Sequence, residues 1–375
     1  MTWVMRQMRA ADPFGLFTHA GLNDASDVRL HIGSVMPVVE DARPTTTVSC
    51  SGWFGAVRRP GDGGLPFAAD DFNPVGAACA AVLGGAQVFR DALGMDEAFS
   101  ANFTFDGFAG LPATEIVARP MFTPDFDVGR VMMVGVGAVG SSAAFFMDLF
   151  GLVADLTCAD ADEVKIENLG RTPAFSTSNC GERKVEALAD VLTGSSLRIT
   201  PIPAWWHELA SNDLRAFDIV VPVANEHGVR AHIQHALPPL MIHASTGSNW
   251  LVNFGRHVPG RDDCLLERFA GFEKPLQLAC SEGEVPVAQG QSIDASLPFL
   301  SFWAGLLVAT DMVRLAVADY PHTGNFGMYS FRKRFSARLL SRSARDNCDC
   351  RRKGPTFARL RGEGRYSGLS PSGWN

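Results

Sequence analysis

The stretch Val131–Asp160, VMMVGVGAVGSSAAFFMDLFGLVADLTCAD, constrains this chain more than any other. An apolar strand runs into Gly135, Gly137 and Gly140, a helix of small residues follows, and a second strand ends on an acid. Each glycine has a mechanical purpose: Gly135 makes the tight turn, Gly137 lets backbone approach a phosphate, and Gly140 lets the helix pack close to the sheet. The helix N-terminus then offers free N–H groups to an anion. Asp160 lies at the end of the second strand, where a ribose hydroxyl is bound in such cradles. Taken alone, the pattern suits NAD or ATP.

Strand and helix patterns alternate downstream. RVMMV and ADLTCAD read as strands, RKVEALADVL as a helix, and LRITPIP, FDIVVPVA and LMIHAST as further strands. Such alternation implies an α/β fold, a doubly wound, Rossmann-like, mostly parallel sheet covered by helices. Three regions are expected: 1–125 with short strands and one strong helix after Asn73-Pro74, 126–325 with the alternating core, and 326–375 as a basic tail. NPVGAACAAVLGGAQVFRDALG and LPFLSFWAGLLVATDMVRLAVA echo one another as Pro-initiated apolar helices, which fits a first region that is a reduced relative of the second.

Composition excludes several classes. With 46% apolar and 19% charged residues the chain is a folded protein, not a disordered one. Its longest apolar run, Leu297 to Thr310, is short of the ~20 residues needed to cross a bilayer. The N-terminus has no secretory pattern, and eight cysteines in 375 residues make no dense disulfide framework. A cytoplasmic protein with reduced thiols, and no membrane partner, is expected. Phe331–Asn375 carries twelve Lys or Arg against three Asp or Glu, although the whole chain is −7. A solvated, partly mobile terminus is the expected reading of this tail, ahead of a grip on an acidic partner; nucleic acid is not expected.

The residues after Asp160 decide between the nucleotides. Asn168, Arg171 and Lys184 follow it in DADEVKIENLGRTPAFSTSNCGERKVEALADVL. A triphosphate carries more negative charge than a dinucleotide and calls for cationic partners. No His–Asp or Tyr–Lys pair stands near a plausible nicotinamide position. ATP is therefore preferred, with an NAD enzyme as a distant alternative.

In these residues the chain resembles the ThiF-type adenylyltransferases, which include the activating enzymes for ubiquitin-like proteins and the enzymes that adenylate sulfur carriers. The blocks GVGAVG, DAD, NLGR and GERK appear in family order and spacing. The resemblance implies that the Gly135–Gly140 backbone cradles ATP, Asp160 binds the ribose, and Asn168, Arg171 and Lys184 contact the phosphates. It places a Mg2+-binding Asp five residues before an Arg; here the Arg is Arg230 and the position holds Asn225. An amide oxygen ligates Mg2+ without contributing charge, so either Glu226 compensates or adenylation is impaired.

The same resemblance places a thioester-forming cysteine on a crossover loop, about 255–297, where Cys280 is the candidate. Glu282 and Glu284 beside it would raise a thiol pKa. Zn2+ is possible but not favoured: Cys264 is followed by Glu267 where many family members have C-x-x-C, and Cys348 and Cys350 have one intervening residue. Trp205–Trp206 read as a strand-to-helix edge, and His243 as a strand-end residue satisfied locally. Residues 1–125 resemble the inactive adenylation half of some bacterial activating enzymes, with Arg6 or Arg9 as the residue lent to the nucleotide site. Likeness to chains of antiphage conjugation operons is carried by GRHVPGRDDCL and LPFLSFWAGLL. The function implied is activation of a ubiquitin-like protein, thioester formation and transfer to a ubiquitin-conjugating-like enzyme, with a possible homodimer. The alternatives are a sulfur-carrier adenylyltransferase and a catalytically silent scaffold.

Overall fold

The computed structural model describes residues 8–9, 28–33, 43–61, 73–95, 103–209, 214–268, 284–286, 292–294, 297–317, 324–332, 334–361 and 364–369. In chain order these form β1 (Arg29–Ile32), β2 (Thr45–Ser51), β3 (Phe54–Arg58), α1 (Pro74–Ala92), β4 (Phe103–Asp106), β5 (Leu111–Ala113), β6 (Asp127–Val134) and α2 (Ala138–Leu149). Next come β7 (Val153–Ala159), α3 (Lys184–Val191), β8 (Leu197–Ile202), β9 (Ile219–Pro222), α4 (His227–His235), β10 (Met241–Gly247) and β11 (Leu251–His257). The chain continues with β12 (Glu284–Pro286), β13 (Ser292–Asp294), α5 (Pro298–Arg314), β14 (Phe326–Ser330), β15 (Ser336–Leu340) and α6 (Asp349–Arg361).

The main sheet runs β15-β14-β11-β10-β9-β6-β7-β8. Its five strands from β10 to β8 are parallel, and β11, β14 and β15 extend it antiparallel. Alternating side chains on β6 feed two cores. Val131 and Met133 join the larger apolar cluster, while Met132 and Val134 join the smaller one on the opposite face. Burial on both faces is what a parallel sheet with helices on either side demands. Residues of α2, α3 and α5 contribute to the first cluster, and Val229 and Ile233 of α4 to the second. The order of the parallel strands, third-second-first-fourth-fifth in chain order, is that of a Rossmann-like sheet. Its switch point lies between β6 and β9.

The N-terminal strands form a separate sheet in the order β1-β2-β3-β4-β5, of which only β1 and β2 pair in parallel. Helix α1 starts where expected, because the Asn73 side chain accepts a hydrogen bond from the Val75 N–H at 3.0 Å and Pro74, having no N–H, leaves no donor to satisfy. This region shares its core with the main sheet. Phe105 packs edge-to-face on Trp303 with centroids 4.8 Å apart, and Phe89 lies 5.4 Å from Phe299. The buried Arg90 donates to the Phe331 carbonyl at 3.0 Å.

Two expected boundaries move. The sequence puts the tail at 326–375, yet β14 and β15 are strands of the main sheet, and Tyr366 Oη donates to the Val128 carbonyl at 2.9 Å at the foot of β6. Part of the positive charge is therefore tied to the packed body, with Arg338 on β15, Arg342 paired with Asp263 and Arg365 paired with Asp127. The crossover was placed from about 255, yet β11 continues to His257 and a helical turn spans Leu265–Arg268. His243 is corrected as well. It is the third residue of β10, fully buried, and its Nε2 meets Arg268 Nη1 at 3.2 Å across 25 residues. Burial and the neighbouring Arg268 and Arg230 cations hold its pKa well below the usual histidine value, so it stays neutral. Among the described residues, no helix is long and apolar enough to cross a membrane.

Candidate active site

The turn after β6 shows why glycine is needed there. Gly135 has φ +97°, and a Cβ on it would lie 2.6 Å from the Ala224 backbone nitrogen in the turn after β9. On Gly140 a Cβ would meet the Gly135 carbonyl oxygen at 2.1 Å, so α2 begins in contact with the turn it follows. A Cβ on Gly137, the N-cap of α2, would meet nothing within 4 Å, leaving open space in front of the helix N-terminus. That space is part of a cavity of about 780 Å³ at the C-terminal ends of the parallel strands, beside the switch point.

Sequence-distant groups converge on this cavity. Asp160 at the end of β7, Asn168, Arg171, Lys184 at the start of α3, and Asn225 after β9 all line it. Asp160 also staples the cradle: its Oδ2 accepts from the Val136 N–H at 2.6 Å, and its Oδ1 from the Asp162 N–H at 2.9 Å. The Asn168 side-chain oxygen accepts from the Lys165 N–H at 3.0 Å, closing the short helical turn that carries Arg171 to the rim. Lys184 is buried, with its Nζ 2.8 Å from Asp162 Oδ2. Asn225 and Glu226 are exposed neighbours that both face the cavity. Their amide and carboxylate oxygens form the donor pair there that would suit a hard cation such as Mg2+. Arg230, one turn into α4, is buried in the cavity wall, and burial lowers its pKa to about 10.

Two groups of lining residues differ from or go beyond the sequence reading. Trp205 and Trp206 line the same cavity, beyond the end of β8, so the pair is more than a strand edge. Trp206 packs edge-on against His232 with ring centroids 5.8 Å apart, and Trp205 is 44% exposed. Two adjacent tryptophans near a cradle were the available signal. Ser245, Thr246, Ser248 and Asn253, from β10 and its hairpin, line another part of the wall and offer hydroxyl and amide groups. Cys280 and Arg6 lie outside the described residues; Arg9 is exposed and does not line the cavity.

A sequence profile of the ThiF family matches residues 125–351, more than half of the chain. The chain belongs to the ThiF family. Two curated relatives are molybdopterin-synthase adenylyltransferases. That of Escherichia coli (strain K12) is 38% identical over 77 residues, and that of Salmonella typhimurium (strain LT2) is 36% identical over the same length. Each match covers 20% of this chain and 30% of the relative, so the chain spans about a third of the curated relatives it matches. Among solved structures, E. coli MccB with MccA-N7isoASN is 17% identical with a TM-score of 0.42, covering 59% of this chain and 66% of MccB. MccB with ATP gives 18% and 0.42 over the same shares.

The expected half-sites, although irregular in spacing, meet. Cys348 Sγ lies 2.9 Å from Cys350 Sγ and 3.5 Å from Cys264 Sγ, and ligand atoms of Cys264, Glu267 and Cys348 lie within 4.8 Å of one another. Glu267 Oε2 is buried with no hydrogen bond, although Arg345 Nε lies 3.8 Å away. The hydrogen bond with Cys350 draws the Cys264 thiol down to about 6, against the opposing pull of burial. Two sulfurs and one carboxylate within reach of one another, with the Cys350 sulfur against Cys348, are donors of the kind that Zn2+ takes.

Proposed function

We propose that this chain is an ATP-dependent adenylyltransferase that activates the C-terminal carboxylate of a small partner protein. The observation that carries the reading is the convergence of Asn168, Arg171 and Lys184 on one cavity whose floor is the Gly135–Gly140 turn. In this reading the carboxylate, already ionised, attacks the α-phosphorus, the P–O bond to the β-phosphate breaks, and pyrophosphate leaves. Such a step needs positioning and charge stabilisation more than a general base. Arg171 and Lys184 supply cationic contacts to the phosphates, the start of α2 supplies backbone N–H groups, and Asp160 holds both the cradle and the ribose. Asn225 and Glu226 would hold Mg2+, which supplies charge neutralisation at the phosphates when bound. Trp205 and Trp206 offer an aromatic wall for the base.

We infer that the partner is a ubiquitin-like protein, passed on through a thioester on Cys280 to a conjugating enzyme; cleavage of the adduct by hydroxylamine, which takes the acyl group as a hydroxamate and frees the thiol, and loss of the hydroxylamine-labile adduct in Cys280→Ser, is the corresponding readout. The molybdopterin-synthase adenylyltransferase relatives favour the second reading, a sulfur-carrier substrate with no thioester on this chain. The test of adenylation itself begins with calorimetric binding of MgATP and of NAD to wild type and Lys184→Ala. Tight MgATP binding that falls at least about tenfold in the variant is the expected result, as removal of a charged hydrogen bond costs about 1.5–3 kcal/mol. NAD binding without ATP binding overturns the reading. If neither nucleotide binds, Asn225 has silenced the site and a scaffold role takes its place.

For the thiol cluster we propose one structural Zn2+ held by Cys264, Glu267, Cys348 and Cys350. About one equivalent of zinc in metal-replete purified protein is expected, and its removal by chelator should lower the thermal midpoint, since a structural metal stabilises only the folded state. Zinc-free protein with unchanged stability would leave these thiols as packing alone.

A further inference from the structure

The DAD motif leaves Asp162 without a role in the reading above, although it is the group that touches Lys184. The two meet through more than side chains. The Lys184 N–H donates to the Asp162 carbonyl at 2.9 Å, and Arg183 Nη1 donates to the Ala161 carbonyl at 2.6 Å. Val164 N–H donates to the Glu182 carbonyl at 2.8 Å. The loop after β7 is thus zipped to the start of α3. Along it runs a continuous chain: the Val136 N–H donates to Asp160, Asp160 accepts from the Asp162 N–H, and the Asp162 carboxylate accepts from Lys184 Nζ.

We propose that Asp162 is a positioning residue that serves as the resident counter-ion of Lys184 and yields it to phosphate. The proposal rests on the triphosphate reading of the cavity. Lys184 has 10% of its side chain exposed, and an ammonium so placed needs an anion beside it when no ligand is bound. Asp162 provides that anion and aims Nζ along the cavity wall. Its own side chain is 50% exposed and lines the same cavity, so it is open to displacement by a stronger anion. A phosphate approaching Nζ must share the ammonium with the carboxylate or expel it, and the two anions repel while they share it. Asp162 therefore weakens pyrophosphate binding. An adenylating enzyme must release pyrophosphate as product, and a resident carboxylate that reclaims Lys184 favours that release.

Asp162→Asn is a clean test, because the backbone bonds of the brace belong to the main chain of residue 162 and survive the change. Binding of inorganic pyrophosphate, MgATP and adenosine is measured by calorimetry on the wild type and on Asp162→Asn and Asp162→Glu. Asp162→Asn should bind pyrophosphate and MgATP about fivefold more tightly, the scale of one half-exposed ion pair, with adenosine unchanged and Asp162→Glu near wild type. Equal or weaker pyrophosphate binding in Asp162→Asn overturns the counter-ion role, as does a parallel change for adenosine, which would mark Asp162 as a structural brace only. Wild type that binds neither MgATP nor pyrophosphate sinks the adenylyltransferase reading itself. Wild type that binds both while Asp162→Asn gains nothing sinks only this proposal.

Discussion

Gly140→Ala should sharply weaken nucleotide binding while the same change at Gly137 leaves the fold untouched. The added Cβ at residue 140 would stand 2.1 Å from the Gly135 carbonyl oxygen and 3.0 Å from its carbon. Both are backbone atoms, so no side chain can swing aside. The turn cannot retreat either, because Gly135 already sits at φ +97° with the Ala224 backbone directly behind it. The start of α2 must therefore lift away from the turn, and overpacking of this kind costs about 1–3 kcal/mol. The consequence for the ligand is larger. Amides displaced by about 1 Å from the phosphates lose on the order of a hundredfold in affinity. At Gly137 a Cβ meets no protein atom within 4 Å, so urea midpoints should match wild type and any loss should appear only in ATP binding. Calorimetry and urea unfolding on the two variants separate these effects. Gly140→Ala with wild-type ATP affinity would mean that the turn does not cradle the phosphates.

The contrast between these glycines also shows what could be read from residues alone. The turn, its helix and the acid at the end of β7 were legible because they are local: one strand, one turn and one helix carry the whole device within thirty residues. Parallel strands buried on both faces announce themselves as short apolar runs, which is why β6, β7, β9 and β10 were recognisable without partners. Helix α1 was legible from its Asn-Pro start and from Gly94, which has φ +64° just beyond its end. The misreadings are non-local. His243 finds Arg268 only because β11 folds back antiparallel on β10. Cys264 and Cys348 are 84 residues apart, and β14 and β15 return the chain so that they meet. Strand β15, with charged Arg338 and a half-exposed pattern, resembles solvated chain until it is paired. Trp205 lies just before the short helical segment Trp206–Leu209, whose neighbours look like surface, and only the cavity beside it gives the ring a purpose.

Asp311 directly follows the longest apolar run of the sequence, and its replacement by alanine should destabilise the protein by about 3–5 kcal/mol. It lies in α5 with no exposed surface, and its carboxylate accepts from Arg256 Nη1 at 3.2 Å and from Arg314 Nη1 at 3.1 Å. Arg314 continues the connection through Nη2, which donates to the Gly107 carbonyl at 2.6 Å. One anion thus balances two guanidiniums and joins α5, β11 and the turn between β4 and β5 around a single buried point. Alanine removes the anion and leaves two cations facing one another away from water. That is the costly way to break a buried pair, in contrast to replacing every member by apolar groups of similar volume. Urea unfolding should show a lower midpoint with an unchanged slope, and the thermal midpoint should fall by about 5 °C. The triple replacement Arg256→Met, Asp311→Leu, Arg314→Met should recover most of that loss. If alanine alone costs under about 1 kcal/mol, water or a rearranged partner reaches the guanidiniums and the charges are not sealed in. Helix α5 packs directly against α2, where a Cβ on Gly305 would lie 2.5 Å from the Ala143 nitrogen. The Asp311 network therefore supports, from behind, the helix whose first turn faces the nucleotide cavity. ATP affinity of the folded fraction should nevertheless stay near wild type, because no member of the network lines that cavity.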